Sequence, residues 1–453
     1  MMLMYLFNGT KTFPKGGVHP KENKLTSGKP IEEIPMPDTL IIPVSQHIGA
    51  PSVPTVERGQ AVKAGQLIAK TGGFVSANIH APASGKVTKI SESMDTSGYR
   101  RTSIFIKPDK EQVWEDGIDL SSMLLPDIKN TREEILHKIL QAGLVGMGGA
   151  AFPTHIKLNV PKGKTANLLI INGVECEPYL TSDHRIMLEK TAEILVGVRL
   201  LMIALGVNKA VIGIENNKQD AIRKFQELTS ALPDIEVAAL KIQYPQGGEK
   251  QLIKAITGRE VPSGGLPVDV GCVVHNVGTT FAAYEAVQKN KPLVERVVTV
   301  TGMSLKNPGN FRVRVGTPVS KLIDAAGGLP EDAGKVISGG PMMGKALNDL
   351  EVPVTKGTSG ILVLPETQSK RPKSKVCIRC TKCVTACPMG LEPYMLMTLA
   401  EKELFDSVES GRVLDCIECG SCSYICPSNR KLLDFIRLGK YMVGKKIRER
   451  NKV

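Results

Sequence analysis

The chain has 453 residues, 42% of them hydrophobic, with 58 basic against 45 acidic residues and a formal net charge of +13. That length allows about three or four domains with real cores, and the basic balance favours an acidic partner or an anionic surface. Aromatic residues are only 4%, with one Trp, so nucleic-acid binding ranks last, and no apolar run reaches the roughly 18 residues a membrane span requires.

The first residues, Met1 to Phe7, are apolar but lack a basic start and a small-residue cleavage site, so they do not read as a secretory signal. Residues 1–37 read as a polar, turn-rich extended arm containing Phe13-Pro-Lys-Gly-Gly17-Val-His19-Pro. His19 stands alone and reads as packed or solvated. From 38 to 108, short β-branched stretches at Thr39–Val44, Gln66–Lys70 and Gly85–Ile90 alternate with turns at Gly59–Gly65 and His80–Gly85. The Gly59…Val62…Gly65-Gln66 and Ala81-Pro-Ala-Ser-Gly85-Lys-Val87 pattern resembles the barrel-sandwich fold of lipoyl and biotinyl carriers. The stretch before His80, Gly73-Phe-Val-Ser-Ala-Asn-Ile79, holds no lysine to modify. The barrel is therefore read as structural, not as a swinging arm.

Residues 131–142 have helical periodicity and open with a capping box, Thr131 with Glu134. The glycine-rich loop that follows runs from Gly143 to Lys157. Gly146, Gly148 and Ala151 imitate a dinucleotide fingerprint, but a helix precedes them and Pro153 follows, so the strand–turn–helix context is missing. The loop still has the physics of a phosphate cradle: small residues let backbone N–H groups approach an anion, and Lys157 adds a charge. A buried strand at Asn167–Ile171 then ends in Asn172-Gly-Val-Glu175-Cys176-Glu177-Pro178. A helix is expected over about 185–205, a strand over 209–214, a helix over 219–228 and a strand over 235–242, ending at Gly247-Gly-Glu-Lys250. This alternation is α/β, and polar groups at the C-terminal ends of its strands mark a ligand site.

The segments Gly148-Gly-Ala-Ala-Phe-Pro-Thr154, Asn172–Pro178, Asp183-His-Arg185, Gly247–Lys250 and Val274-His-Asn276 resemble, in the same order, the flavin-binding subunit of respiratory complex I. The resemblance implies an FMN/NADH-binding domain over 125–290. Gly146, Gly148, Gly149, Ala150, Phe152, Lys157, Asn172 and Asn276 would hold FMN, without a covalent link. Glu175 and Glu177 would lie beside the ring and the nicotinamide in the catalytic position. Cys176 stands where that family has glycine or serine. It reads as a small packed residue, with a redox or ligand role left open, and Cys272 carries no assigned role.

Residues 295–350 read as a small β-grasp: two strands, a turn, a helix and a Gly327-Gly328 cap. It resembles the soluble-ligand-binding β-grasp domain that follows the flavin domain in the same family. A basic linker leads into residues 366–429, where C-x2-C-x2-C-x3-C-P occurs twice, at Cys377-Cys380-Cys383-Cys387 and at Cys416-Cys419-Cys422-Cys426. This is the spacing of paired [4Fe–4S] clusters, in which the fourth cysteine of each run ligates the other cluster. Cluster one takes Cys377, Cys380, Cys383 and Cys426; cluster two takes Cys416, Cys419, Cys422 and Cys387. Zinc ribbons pair one C-x2-C with a distant one and leave the third cysteine surplus, and a chain this long needs no disulfide staples. Thiolate-ligated clusters point to a reducing, cytoplasmic setting. The spacer helix, about 393–405, suggests a helical ferredoxin module. Residues 430–453 form a tail with nine basic residues against Asp434 and Glu449, open to reading as a solvated helix or as a docking element.

The whole order, arm, barrel-sandwich, α/β flavin domain, β-grasp and double ferredoxin, resembles the family of the C subunit of the Rnf complex, a membrane-bound ferredoxin:NAD oxidoreductase that pumps Na+ or H+. The resemblance implies a peripheral subunit at the cytoplasmic face of the membrane. It would exchange hydride between NAD(H) and FMN and pass single electrons through two [4Fe–4S] clusters to membrane and ferredoxin-like partner subunits. Rival readings are a corrinoid reductase, which lacks the barrel, and an NADH dehydrogenase or hydrogenase subunit, which usually carries one cluster motif. A non-enzymatic electron-transfer scaffold with a vestigial flavin site is a third, and would show no flavin in its spectrum.

Overall fold

Each module closes a core of its own in the computed structural model, which describes residues 9–450; the apolar Met1–Phe7 stretch lies outside those residues. In the barrel, a four-stranded sheet (Leu40–Pro43, Ala61–Val62, Gly85–Met94, Arg100–Pro108) faces a three-stranded one (Val53–Pro54, Leu67–Lys70, Ile79–His80). Alternate side chains point inward, so Leu40, Ile42, Ile68, Val87, Ile104 and Ile106 fill the space between them. The turn at Gly73–Phe74, where a carrier presents its lysine, instead exposes Phe74.

The flavin-domain sheet is entirely parallel. Its order is Ile235–Leu240, Ala210–Glu215, Leu168–Gly173, Cys272–Asn276. In chain order that is third, second, first, fourth, so the sheet reverses direction between Leu168–Gly173 and Cys272–Asn276. Such a switch point opens a crevice at the carboxyl ends of the strands. Asn172 and Asn276 sit there as register partners on adjacent strands. The helix expected over 185–205 is two helices, Ser182–Glu189 and Thr191–Leu205, broken where Lys190 leaves helical geometry at φ −130°. The first begins early because the Asp183 and His184 N–H groups donate to the Glu175 carboxylate, a cap supplied from the preceding loop.

The β-grasp is larger than two strands and a helix. Its six-stranded sheet takes in Gly360–Pro365, parallel to Glu295–Thr301, and Ile31–Glu33 of the N-terminal arm, parallel to Gly309–Arg314. The arm is extended, as expected, but it is pinned along its length. Lys11 bridges to Leu240 at the edge of the flavin sheet and Val18 bridges to Tyr244. The Gly17 N–H donates to the Ala386 carbonyl in the cysteine module.

The tail forms the helix Leu432–Arg450, which is part of the cysteine module's core. Leu432, Ile436 and Val443 are buried with Leu396, Met397, Ala400 and Val408, each of the larger side chains contributing about 1.5–3 kcal/mol. Gly439 permits the close approach, since a Cβ there would lie 3.0 Å from Val408 and 3.1 Å from Ala400. The apolar stripe that left a docking role open is therefore used inside the module. Among the described residues no helix is long and apolar enough to cross a membrane.

Candidate functional site

The glycine loop closes on itself at the switch point. The Gly146 N–H donates to the Phe152 carbonyl, the Ala151 N–H donates to the Gly146 carbonyl, and Val145 bridges Pro153. Its base is fixed from two sides: the Met147 N–H donates to Thr279 Oγ1 at 2.8 Å, and Arg296 Nη1 donates to the Met147 carbonyl at 3.1 Å. Gly148, Gly149 and Ala150 are left exposed at the tip, and nothing lies within 4 Å of where a Gly149 Cβ would stand. Among the described residues none accepts from their three amides, so these N–H groups are free to receive an anion. The open tip, the small residues and the switch-point location fit a flavin phosphate and ring.

Asn276 joins this loop to the strand ends. It caps the helix Val277–Gln288 by accepting from the Gly278 and Thr279 N–H groups, and its Nδ2 donates to Asp183 at 2.7 Å. A Cβ on Gly148 would lie 3.4 Å from the Asn276 Cβ. Asn172 Nδ2 donates to the Gly247 carbonyl at 2.9 Å, holding the Gly247–Lys250 turn beside the crevice. Lys157 does not stand alone: its Nζ pairs with Glu249 at 2.5 Å, tying the end of the glycine loop to the helix Glu249–Thr257.

The two glutamates diverge. Glu175, at φ +48°, turns its carboxylate to the start of the helix Ser182–Glu189, where Ser182 Oγ also donates to it. Beneath it Asp183 is raised to about 7, first by burial and then by the Glu175 charge. Glu177 faces the β-grasp, accepting from the Met342 and Met343 N–H groups at 3.1 and 2.8 Å. Burial pushes its carboxyl up to about 7, against the pull of those donors, Lys24 and Tyr244. Between them Cys176 is a half-buried thiol, pushed up by desolvation, that accepts from the Gly247 N–H. Cys272 is buried within a strand.

The cysteine runs are crossed in space. Cys387, from the first run, lines one cavity with Cys416, Cys419 and Cys422 of the second, walled by Leu391, Leu396, Leu433 and Ile436. Cys383 of the first run and Cys426 of the second both pack, partly buried, against the module's core, and burial pushes the Cys383 thiol up. Burial likewise raises Cys416 to about 11; iron bound there would reverse that preference and stabilise the thiolate. Cys387, Cys419 and Cys422 are buried, whereas Cys377 and Cys380 are exposed.

Sequence reasoning did not single out the residues that join these sites. Tyr244, 2% exposed, donates its hydroxyl to the Cys419 carbonyl at 2.8 Å and packs with Val18, Ala386 and Cys419, with Cys176 and Met342 alongside. Lys24 Nζ donates to the Glu175, Glu177 and Leu180 carbonyls, and burial lowers it to about 8. Lys356, buried and lowered to about 7, donates to the Asn78 carbonyl of the barrel and the Gly143 carbonyl. Asp183 lay inside a quoted motif; the others carry no local signal.

Comparison with known proteins gives four domain matches: the RnfC barrel sandwich hybrid domain over residues 11–111, the Nuo51 FMN-binding domain over 139–285, the SLBB domain over 297–346, and a 4Fe-4S dicluster domain over 370–427. The chain is 48% identical over 429 residues to the C subunit of the proton-translocating ferredoxin:NAD(+) oxidoreductase complex of Clostridium ljungdahlii, covering 93% of this chain and 92% of that protein. It is 44% identical over 432 residues to the Na(+)-translocating counterpart of Acetobacterium woodii, covering 94% and 96%. It is also 44% identical over 396 residues to the C subunit of the ion-translocating oxidoreductase complex of Rhodobacter capsulatus, covering 86% and 76%. Among solved structures, a chain of the NAD+-reducing [NiFe]-hydrogenase in the H2-reduced state aligns with a TM-score of 0.50 at 19% identity, over 69% of this chain and 63% of that one. That likeness bears on the fold alone.

Proposed function

The chain belongs to the C-subunit family of ion-translocating ferredoxin:NAD(+) oxidoreductase complexes, and from that premise we propose how its residues divide the work of moving electrons between NAD(H) and the rest of the complex. Its cofactors are FMN and two [4Fe–4S] clusters. FMN, when bound, supplies the exchange of hydride with NAD(H) on one side and of single electrons with the clusters on the other.

The Gly148–Ala150 amides would hold the flavin phosphate, with Asn172 and Asn276 at the strand ends, Gly146 and Phe152 closing the loop, and Lys157 fixed by Glu249. Glu175 would act by fixing the start of the helix Ser182–Glu189 at the crevice, and Glu177 would be the ionisable group between the crevice and the β-grasp. Cys416, Cys419, Cys422 and Cys387 ligate the inner cluster, and Cys377, Cys380, Cys383 and Cys426 the outer one. The inner set, with Cys419 held beside the Glu175–Glu177 segment through Tyr244, would stand nearer the flavin domain, and the outer set, with Cys377 and Cys380 exposed, would face the partners. The chain docks at the cytoplasmic face of the membrane through membrane and ferredoxin-like partner subunits.

The observation that carries this reading is the buried junction at Tyr244, where the Glu175–Glu177 segment, the arm and the cysteine cavity meet. A corrinoid reductase is disfavoured by the barrel match, and a hydrogenase or dehydrogenase subunit by the paired cluster motif. The test is an anaerobic NADH titration of the full chain, following flavin and cluster absorbance together. Both are expected to bleach. Bleaching of flavin with clusters left oxidised would sink the proposed route, and a cluster spectrum without flavin would favour the scaffold.

A further inference from the structure

The barrel is docked onto the glycine loop at two points. At the loop's start, Lys356 Nζ donates to the Asn78 carbonyl of the barrel and to the Gly143 carbonyl, both at 2.7 Å. Further along, the Ile48 N–H of the barrel donates to the Ala151 carbonyl at 3.2 Å. The Ile48 segment is in turn clamped to the one that carries Phe74: the Ala50 N–H donates to the Val75 carbonyl, and Ser76 Oγ donates to the Ala50 carbonyl. Gly49, at φ +112°, makes that approach possible, since a Cβ there would stand 2.0 Å from the Val75 oxygen. On this fixed backbone Ile48 is 54% and Phe74 80% exposed. Residues 45–51 and 72–76 contain no lysine, arginine, aspartate or glutamate, so the pair offers an uncharged apolar surface beside the loop. A dinucleotide with its nicotinamide at a flavin in the crevice must extend its adenosine half out past the glycine loop. Adenine is a flat, uncharged ring that binds by stacking on aromatic and aliphatic side chains.

We propose that Ile48 and Phe74 of the barrel form the adenine subsite for NAD(H), so that the barrel is part of the substrate site and not only a support for the glycine loop. The inference rests on the reading of the crevice as a flavin and NAD(H) site. Phe74 stacks on the adenine and Ile48 covers its edge beside Ala151. Both act far from the transferred hydride, so they hold the ground state and the transition state alike and set affinity without setting the rate of the chemical step.

The test uses the full chain loaded with FMN and iron–sulfur clusters, with ferricyanide as acceptor. The donors are NADH and reduced nicotinamide mononucleotide, which lacks the adenosine half. Phe74→Ala is expected to raise KM for NADH about tenfold with kcat unchanged, and to leave kcat/KM for the mononucleotide as it was. Ile48→Ala is expected to raise the same KM about threefold, and Phe74→Trp to keep it. ADP-ribose, which carries the adenine end alone, reads the subsite without hydride transfer: its affinity, measured by calorimetry, should fall about tenfold in Phe74→Ala. Unchanged NADH KM and ADP-ribose affinity in Phe74→Ala overturn the subsite, and so does an equal loss with the mononucleotide, which would mark a structural effect. A Phe74→Ala chain that keeps its NADH KM but no longer copurifies with membrane subunits would also overturn it and assign the pair to a protein contact. If the unsubstituted chain oxidises neither donor, the flavin and NAD(H) reading of the crevice fails, and the ADP-ribose affinities of the two forms still decide the subsite.

Discussion

Tyr244 and Lys356 are where single side chains decide most. Removing the Tyr244 hydroxyl leaves the Cys419 carbonyl without its donor, a loss of about 1 kcal/mol, while the ring still fills the junction. Tyr244→Phe is therefore expected to leave flavin bleaching by NADH unchanged but to slow flavin-to-cluster transfer and shift the inner cluster's midpoint potential. Stopped-flow absorbance and a redox titration read the two effects separately. Lys356 is lowered to about 7 by burial. A base with a depressed pKa contributes stability fully above its unfolded pKa and loses it as pH falls toward the folded value. The melting temperature of the unsubstituted chain relative to Lys356→Met is thus expected to rise between pH 7 and pH 9, by at most about 1.4 kcal/mol of stability per pH unit. A difference constant across that range would show that Lys356 is charged when folded. These roles were not legible in the sequence. A buried lysine is identical in a sequence to a solvated one, whereas the capping box at Thr131 and Glu134 is written locally and forms as read.

The arm and the terminal helix were each read in the sequence as appendages, and each proves to be a tie. Gly16 lies at φ +77°, and a Cβ there would stand 2.6 Å from the Cys387 backbone carbon. The arm passes the cysteine module at that point only because the residue has no side chain. Gly16→Ala is expected to loosen the junction: the cluster absorbance remains, but its reduction by NADH slows and the arm becomes sensitive to limited proteolysis. Unchanged transfer and protease resistance would remove the arm from the electron route. Gly439→Leu, which forces a side chain between Ala400 and Val408, is expected to cost about 1–3 kcal/mol and to lower cluster content, measured as iron per chain. The hydrophobic pattern of the terminal helix announced an apolar face. What that face packs against is set by contacts across the cysteine spacer.

The proposed electron route runs through the whole molecule in one order: glycine loop, Glu175–Glu177 segment, Tyr244 junction, inner cysteines, partly exposed outer cysteines. The order gives asymmetric predictions for the two clusters. Cys422→Ala is expected to stop NADH from reducing either cluster, while flavin reduction survives. Cys380→Ala should leave the inner cluster reducible and block only onward transfer. Electron paramagnetic resonance of the NADH-reduced variants distinguishes them, and equal loss of both signals in Cys380→Ala would reverse the proposed order.

By itself the sequence determined the chemistry: two cysteine runs whose spacing admits paired clusters, a glycine loop suited to a phosphate, and the α/β, barrel and β-grasp periodicities. These are local patterns, set by backbone geometry and ligand spacing within a few residues. Only the tertiary structure decided which strands adjoin, so that Asn172 meets Asn276 at a switch point. It also decided that Gly360–Pro365 and Ile31–Glu33 complete the β-grasp sheet, and that Tyr244 links the flavin loop to Cys419. Those pairings join residues tens to hundreds of positions apart. They are selected by the burial of whole faces against one another, which no short stretch of sequence encodes.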